Sequence, residues 1–156
     1  GGFNTSLSWK GFDLSAIFAY SIGGYIYNRD VTMILHNGSL EGRDWSTEIL
    51  RRWTPDNRYT DVPALSTTSN NWNSASTRFL QNNSYMRLKN LTLSYNLPKQ
   101  WISKLSLSSV QVYVQGDNLF TIHRNQGLDP EQGITGITYY RYPAMRTISG
   151  GINVSF

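Results

Sequence analysis

From Thr147 to Phe156 the chain alternates residue by residue. Ile148, Gly150, Ile152, Val154 and Phe156 share one parity, and Thr147, Ser149, Gly151, Asn153 and Ser155 share the other. A period of two predicts a β-strand with one apolar and one polar face. Such a strand buries its apolar face in the core of a sandwich, or turns it to lipid in an outer-membrane barrel whose lumen is wet.

The same pattern recurs along the chain. Phe3, Thr5, Leu7 and Trp9 alternate with Asn4, Ser6 and Ser8. After Lys10-Gly11, Phe12, Leu14, Ala16, Phe18 and Tyr20 alternate with Asp13, Ser15 and Ala19, and Ile17 is the apolar exception on the polar side. Two runs this close predict a hairpin with a very short turn. Gly23-Gly24 permits a bulge, with Tyr25 and Tyr27 carrying the strand onward. Leu91, Leu93, Tyr95 and Leu97 alternate with Thr92, Ser94 and Asn96, while Leu88 is out of phase and predicts a bulge near the start of that strand. Val110, Val112, Val114, Gly116, Phe120 and Ile122 form a further apolar set. The predicted strands are about 3–10, 12–27, 85–97, 109–122 and 146–156, so the class is all-β.

Between them the connections run short, long, short, long. The stretches 28–84 and 123–145 are rich in Asn, Ser, Asp, Gly and Pro. Inside the first, Asp44–Trp53 reads as a short helix capped by Asp44 with Glu48 in its first turn. Lys99–Ser108 reads as a compact turn with one helical turn through Trp101 and Leu105. Tight turns on one side and long loops on the other are the asymmetry of a membrane barrel, with the long loops extracellular. About five strands cannot close such a barrel, since the smallest has about eight. Their bare edges are costly in a bilayer. The expectation is a set of antiparallel strands completing a larger barrel, and Gly1-Gly-Phe without a Met adds the expectation of a fragment.

Composition narrows this further. Charged residues are 15%, aromatics 13%, and there is no cysteine, so no order is expected from cross-links. No run approaches the roughly 20 apolar residues of a membrane helix, a test that strands of about 9–11 residues evade. The net charge of +4 is scattered, with Arg51-Arg52 the only adjacent basic pair, which argues against nucleic acid. Asp129 and Glu131 are two residues apart across a Pro and read as a turn rather than a glycosidase pair. His36 and His123 stand alone, without metal-ligand spacing. Neither a catalytic triad nor a phosphate loop is present, so the chain implies no enzyme and no cofactor. Trp9, Phe12, Tyr95 and Phe156 are expected in one interfacial girdle, and Tyr25, Tyr27 and Phe120 in the other. Trp45, Trp53, Tyr59 and Trp72 lie in the long loop. There they either form the loop's own small core or offer a surface to a sugar ring or a lid protein. Asn96, Gln111, Gln115 and Asn153 are the lumen-facing set, keeping the interior wet or touching a plug.

Specific words accompany these patterns. Met86-Arg-Leu-Lys-Asn-Leu-Thr-Leu-Ser-Tyr-Asn-Leu-Pro98, Val112-Tyr-Val-Gln-Gly-Asp-Asn-Leu-Phe-Thr121, Gly127-Leu-Asp-Pro-Glu131 and Tyr142-Pro-Ala-Met-Arg-Thr147 resemble segments near the C-terminus of the SusC/RagA family of TonB-dependent outer-membrane transporters. Arg52-Trp-Thr-Pro-Asp-Asn57 with Asp61-Val-Pro63 resembles that family's extracellular loop. Asp117 departs from the family, which often carries Gln there. The resemblance implies the end of a barrel of about 22 strands around a plug, in the outer membrane of a Bacteroidetes-like Gram-negative cell. It implies uptake of glycans or peptides with a SusD-like lipoprotein lid, driven by the TonB complex. The plug, TonB-contact segment and N-terminal extension are not in this sequence. Ile152, Val154 and Phe156 are then expected to be the signal read by the barrel-assembly machinery. Two rival readings stand beside this: a secreted carbohydrate-binding β-sandwich, and a passive porin or adhesin barrel.

Overall fold

Alternation becomes pairing in the long strands. In the computed structural model, which describes every residue except 39, 41, 70–73, 106, 126 and 132–134, five long strands form one antiparallel sheet. They are β1 (Gly2–Trp9), β2 (Phe12–Ser21), β5 (Tyr85–Asn96), β6 (Ser109–His123) and β8 (Thr147–Ser155), in the order β1-β2-β5-β6-β8. Three short strands, β3 (Tyr25–Asn28), β4 (Leu80–Asn82) and β7 (Ile137–Thr138), form a second sheet in the order β4-β3-β7. The chain divides accordingly. One unit comprises Gly1–Gly24, Asn83–Pro130 and Pro143–Phe156, and the other Tyr25–Asn82 and Glu131–Tyr142.

In the large sheet the register brings like faces together. One transverse row is Trp9, Phe12, Tyr95, Val112 and Ile152, and the next is Leu7, Leu14, Leu93, Val114 and Gly150. Phe3 stacks on Phe18 with ring centres 4.6 Å apart, and Phe12 meets Tyr95 at 4.4 Å. The opposite face carries Ser6, Ser15, Thr92, Gln115 and Ser149 in one row, and Asn96, Gln111 and Asn153 in another. Leu88 changes parity because the register slips between Leu88 and Asn90, returning it to the apolar face opposite Phe18 and Phe120. A bulge adds one residue and therefore reverses which face the next residue takes.

The first hairpin turns on two residues. Lys10 (φ 47°) and Gly11 (φ 88°) are both left-handed between the pair Trp9 and Phe12, the backbone of a primed turn that matches strand twist. A Cβ on Gly11 would stand 3.1 Å from the Asn96 carbonyl oxygen. Gly11→Ala is therefore expected to lower the stability of the full-length protein by about 1–2 kcal/mol. The drop would be read as an earlier loss of the folded band on unboiled gels.

The structure departs from the sequence pattern at three places. β2 ends at Ser21, not near Tyr27. The left-handed Gly23 and Gly24 follow it, and Tyr25 and Tyr27 pair instead with β4 in the second unit. Those two tyrosines are thus not part of a girdle on the large sheet. The long stretch also holds a helix, α1 (Arg29–Ile34), capped by Asn28, whose Oδ1 accepts the Val31 N–H at 3.1 Å. The segment expected to be helical from Asp44 is a 3-10 turn, Thr47–Arg51, capped by Ser46 rather than Asp44. After Pro98 the expected helical turn is present, as α2 (Lys99–Ile102) and a 3-10 turn through Leu105.

Candidate functional site

The features that bear on function are the two faces of the large sheet, its edges and the loops. The apolar face is bare: Leu7, Trp9, Leu14, Leu93, Val112, Val114, Ile148 and Ile152 are all exposed. Nothing among the described residues packs on it as the second layer of a sandwich would. Among the described residues β1 and β8 each have one edge without a strand partner. Of the residues expected to signal barrel assembly, Ile152 and Val154 lie on the apolar face of β8. Ile152 is 65% exposed, and Phe156 follows the strand at 92%.

The polar face is laced with hydrogen bonds. Asn90 Nδ2 donates to Asp117 Oδ1 at 2.8 Å, and Gln115 Nε2 donates to both Asp117 oxygens at 3.3 Å. Ser8 Oγ donates to Asp13 Oδ1 at 2.5 Å and Asn96 Nδ2 to Asp13 Oδ2 at 2.7 Å. Asn153 reaches Gln111, which in turn reaches Ser94. Amides and hydroxyls here satisfy one another along and across strands, as an interior without an apolar core requires.

A buried ion pair that sequence reading missed closes one end of this face. Arg87 and Asp129 are only 4% and 6% exposed in their side chains and pair directly. Arg87 Nε also donates to Thr121 Oγ1 at 2.9 Å, and the Ala144 N–H donates to Asp129 Oδ2 at 2.6 Å. Asn83 Nδ2 donates to the Pro130 carbonyl at 2.9 Å, and Asn125 Nδ2 to Asn83 Oδ1 at 3.1 Å. Asp129 therefore ties both limbs of the loop 124–146 to the sheet. It is a structural anchor rather than half of a catalytic pair. Beside it Leu128, Pro143, His123 and Arg146 line an open cleft of about 500 Å³.

In the second unit the loop aromatics are placed unevenly. Among the described residues the buried side chains are Ile26, Leu35, Ile49, Val62 and Phe79, with Asn28, Thr32, His36, Asn37 and Thr138. Trp45 and Trp53 are each 45% exposed and Tyr59 fully so, while Trp72 lies outside the described residues. Trp45 Nε1 donates to His36 Nδ1 at 3.0 Å, its ring edge-on to the imidazole. Trp53 adjoins a turn in which Asn57 Nδ2 and Thr60 Oγ1 both donate to the Arg51 carbonyl. The loop's core thus belongs mainly to aliphatic residues and Phe79, leaving the two tryptophans half outside it. Among the described residues no group of three or more His, Cys, Asp or Glu could hold a metal ion.

A sheet with one largely apolar face left bare, one polar face and, among the described residues, two edges without a strand partner is a piece of the wall of a transmembrane β-barrel. Comparison with known proteins narrows the class. The chain is 34% identical to TonB-dependent receptor P3 of Formosa agariphila and 28% identical to TonB-dependent receptor SusC of Bacteroides thetaiotaomicron, over 99% of its own length in both cases. It spans only 16% and 15% of those relatives. Among solved structures it superposes on the RagAB peptide importer in the open-open state with a TM-score of 0.89 and in the closed-closed state with 0.88. Identity is 36% in each, covering 100% of this chain and 17% of that one. No protein-family model matches. Along its whole length the chain is thus similar to a segment of TonB-dependent receptors of the SusC/RagA kind.

Proposed function

We propose that the chain forms the closing stretch of wall in a SusC-like importer of the outer membrane. Its apolar face meets lipid and its polar face the lumen. The observation that carries this is the bare apolar face: water tolerates contiguous apolar patches of only a few hundred Å² on a soluble protein, whereas lipid requires such a band. A carbohydrate-binding sandwich would have that face packed. The equal fit to two states of the RagAB importer supports a wall segment that keeps one fold.

The two long connections then lie outside the cell, and Trp45, Trp53, Tyr59 and Trp72 are contacts offered to an imported glycan or peptide or to a SusD-like lipoprotein lid. Uptake is energised through TonB by parts of the receptor beyond these residues. Ile152, Val154 and Phe156 are the signal for barrel assembly, since a strand with an open edge is what an assembly machine can pair with.

The test uses the full-length receptor. It should show a heat-dependent gel shift, and deleting Phe156 should reduce its outer-membrane yield several-fold while transcript level holds. Absence of the gel shift overturns the barrel; normal yield after deletion overturns the signal.

A further inference from the structure

Lysines and arginines are segregated along this chain. Three of the four lysines, Lys10, Lys99 and Lys104, fall in the two short connections, 10–11 and 98–108. The ten arginines lie in or next to the long ones, 28–84 and 123–145. Both short connections are at one end of the large sheet. They adjoin each other, because the Asn96 N–H at the end of β5 donates to the Gly11 carbonyl at 2.8 Å. Two strand spacings separate their centres, roughly 10 Å. Neither connection contains an acidic residue, and Asp13, just beyond the first, is on the polar face and bonded to Ser8 and Asn96. Among the described residues none of the three lysines has an ion-pair partner.

Lys10 is an unexpected residue on backbone grounds. Its φ of 47° is left-handed, and a primed turn favours Asn, Asp or Gly there. Its ammonium nitrogen lies 4.9 Å from the centre of the Trp9 ring, and Trp9 belongs to the apolar face. The charge therefore sits at the rim of the apolar band. Trp101 repeats the combination between Lys99 and Lys104, exposed while its neighbour Ile102 is buried. Tryptophan beside lysine at the border of an apolar band fits a headgroup layer. The indole takes the boundary and the ammonium reaches an anionic phosphate.

We propose that the two short connections form a binding surface for anionic phospholipid headgroups, selected over zwitterionic ones by Lys10, Lys99 and Lys104. This rests on the barrel reading above, in which the long connections are outside the cell and these face the periplasmic leaflet. Two observations select lipid as the partner: the surface is continuous with the apolar face at Trp9, and its described side-chain charge is of one sign.

The experiment takes the full-length receptor with a photo-crosslinking phenylalanine in place of Trp101, in vesicles of phosphatidylcholine and phosphatidylglycerol in equal amounts. Phosphatidylglycerol adducts at that position should outnumber phosphatidylcholine adducts by more than about fivefold, the factor one lysine near an anionic surface contributes. In the triple variant Lys10→Gln, Lys99→Gln, Lys104→Gln the preference should fall to near unity, with the heat-dependent gel shift kept. About 1 M salt, which screens charge beyond roughly 3 Å, should abolish the preference without any substitution, and this arm decides should the variant alone lose its gel shift. Equal labelling of the two lipids, a preference that survives both treatments, adducts to protein in place of lipid, or displacement by inorganic phosphate at constant ionic strength overturns the proposal. A receptor without the gel shift in any form refutes the barrel reading instead.

Discussion

Replacing Arg87 by Met in the full-length receptor is expected to loosen the loop 124–146 by about 3–5 kcal/mol, the cost of leaving one member of a buried ion pair unmatched. Asp129 would stay enclosed and lose the Arg87 guanidinium while keeping the Ala144 N–H, and Thr121 would lose the Arg87 Nε–H. The opening is local, because β5 and β6 remain paired from Leu91–Gly116 to Asn96–Gln111 on the far side of the bulge. External protease should therefore cut between His123 and Arg146 much faster than in the parent, and amide exchange should rise there first. A second variant separates charge from shape. Arg87→Met with Asp129→Leu removes both charges, and apolar replacement of a whole buried pair is often neutral or stabilising, so most of the protection should return. If the single variant is as protected as the parent, the anchor is not energetically important.

Leu91→Arg addresses the other face. Leu91 sits near the middle of β5, flanked by Ala16 on β2 and Gly116 on β6. A cation at the mid-depth of a lipid-facing strand costs about 2–4 kcal/mol, falling towards zero near the interfaces. Denaturant titration of the full-length barrel in lipid vesicles should show that loss, while Trp9→Arg, at the hairpin end of the sheet, should cost clearly less. Equal, small effects at both depths would mean that the apolar face does not meet a bilayer.

Much of the large sheet was readable from the chain because period-two patterning is a local property. The primed turn at Lys10-Gly11 and the bulge announced by Leu88 both follow from neighbours in sequence. The end of β2 did not. Tyr25 and Tyr27 keep the alternation going, and alternation does not say which sheet a strand joins. The helix α1 was hidden for a related reason: at six residues it is too short to display a 3.6-residue period. The cap moved from Asp44 to Ser46 because the turn begins two residues later than propensity suggested, a typical boundary shift.

The sites divide along the same line. Exposure of Ile152 and Phe156 follows from alternation and a strand at the sheet's edge. The half-exposed Trp45 and Trp53 do not, since which residues fill a loop's core depends on how its turns fold back. The Arg87–Asp129 pair joins residues 42 apart and carried no local signal beyond a turn-forming Leu-Asp-Pro.

By itself, then, the sequence determined strand parity, the hairpin, the two faces and the family words, all of which depend on near neighbours and on backbone geometry. Only the tertiary structure decided that the apolar face is left bare, that Asp13 and Asp117 on the polar face meet hydroxyl and amide donors, and that Asp129 anchors a loop. Burial and charge pairing are set by groups far apart in the chain, and no period records them.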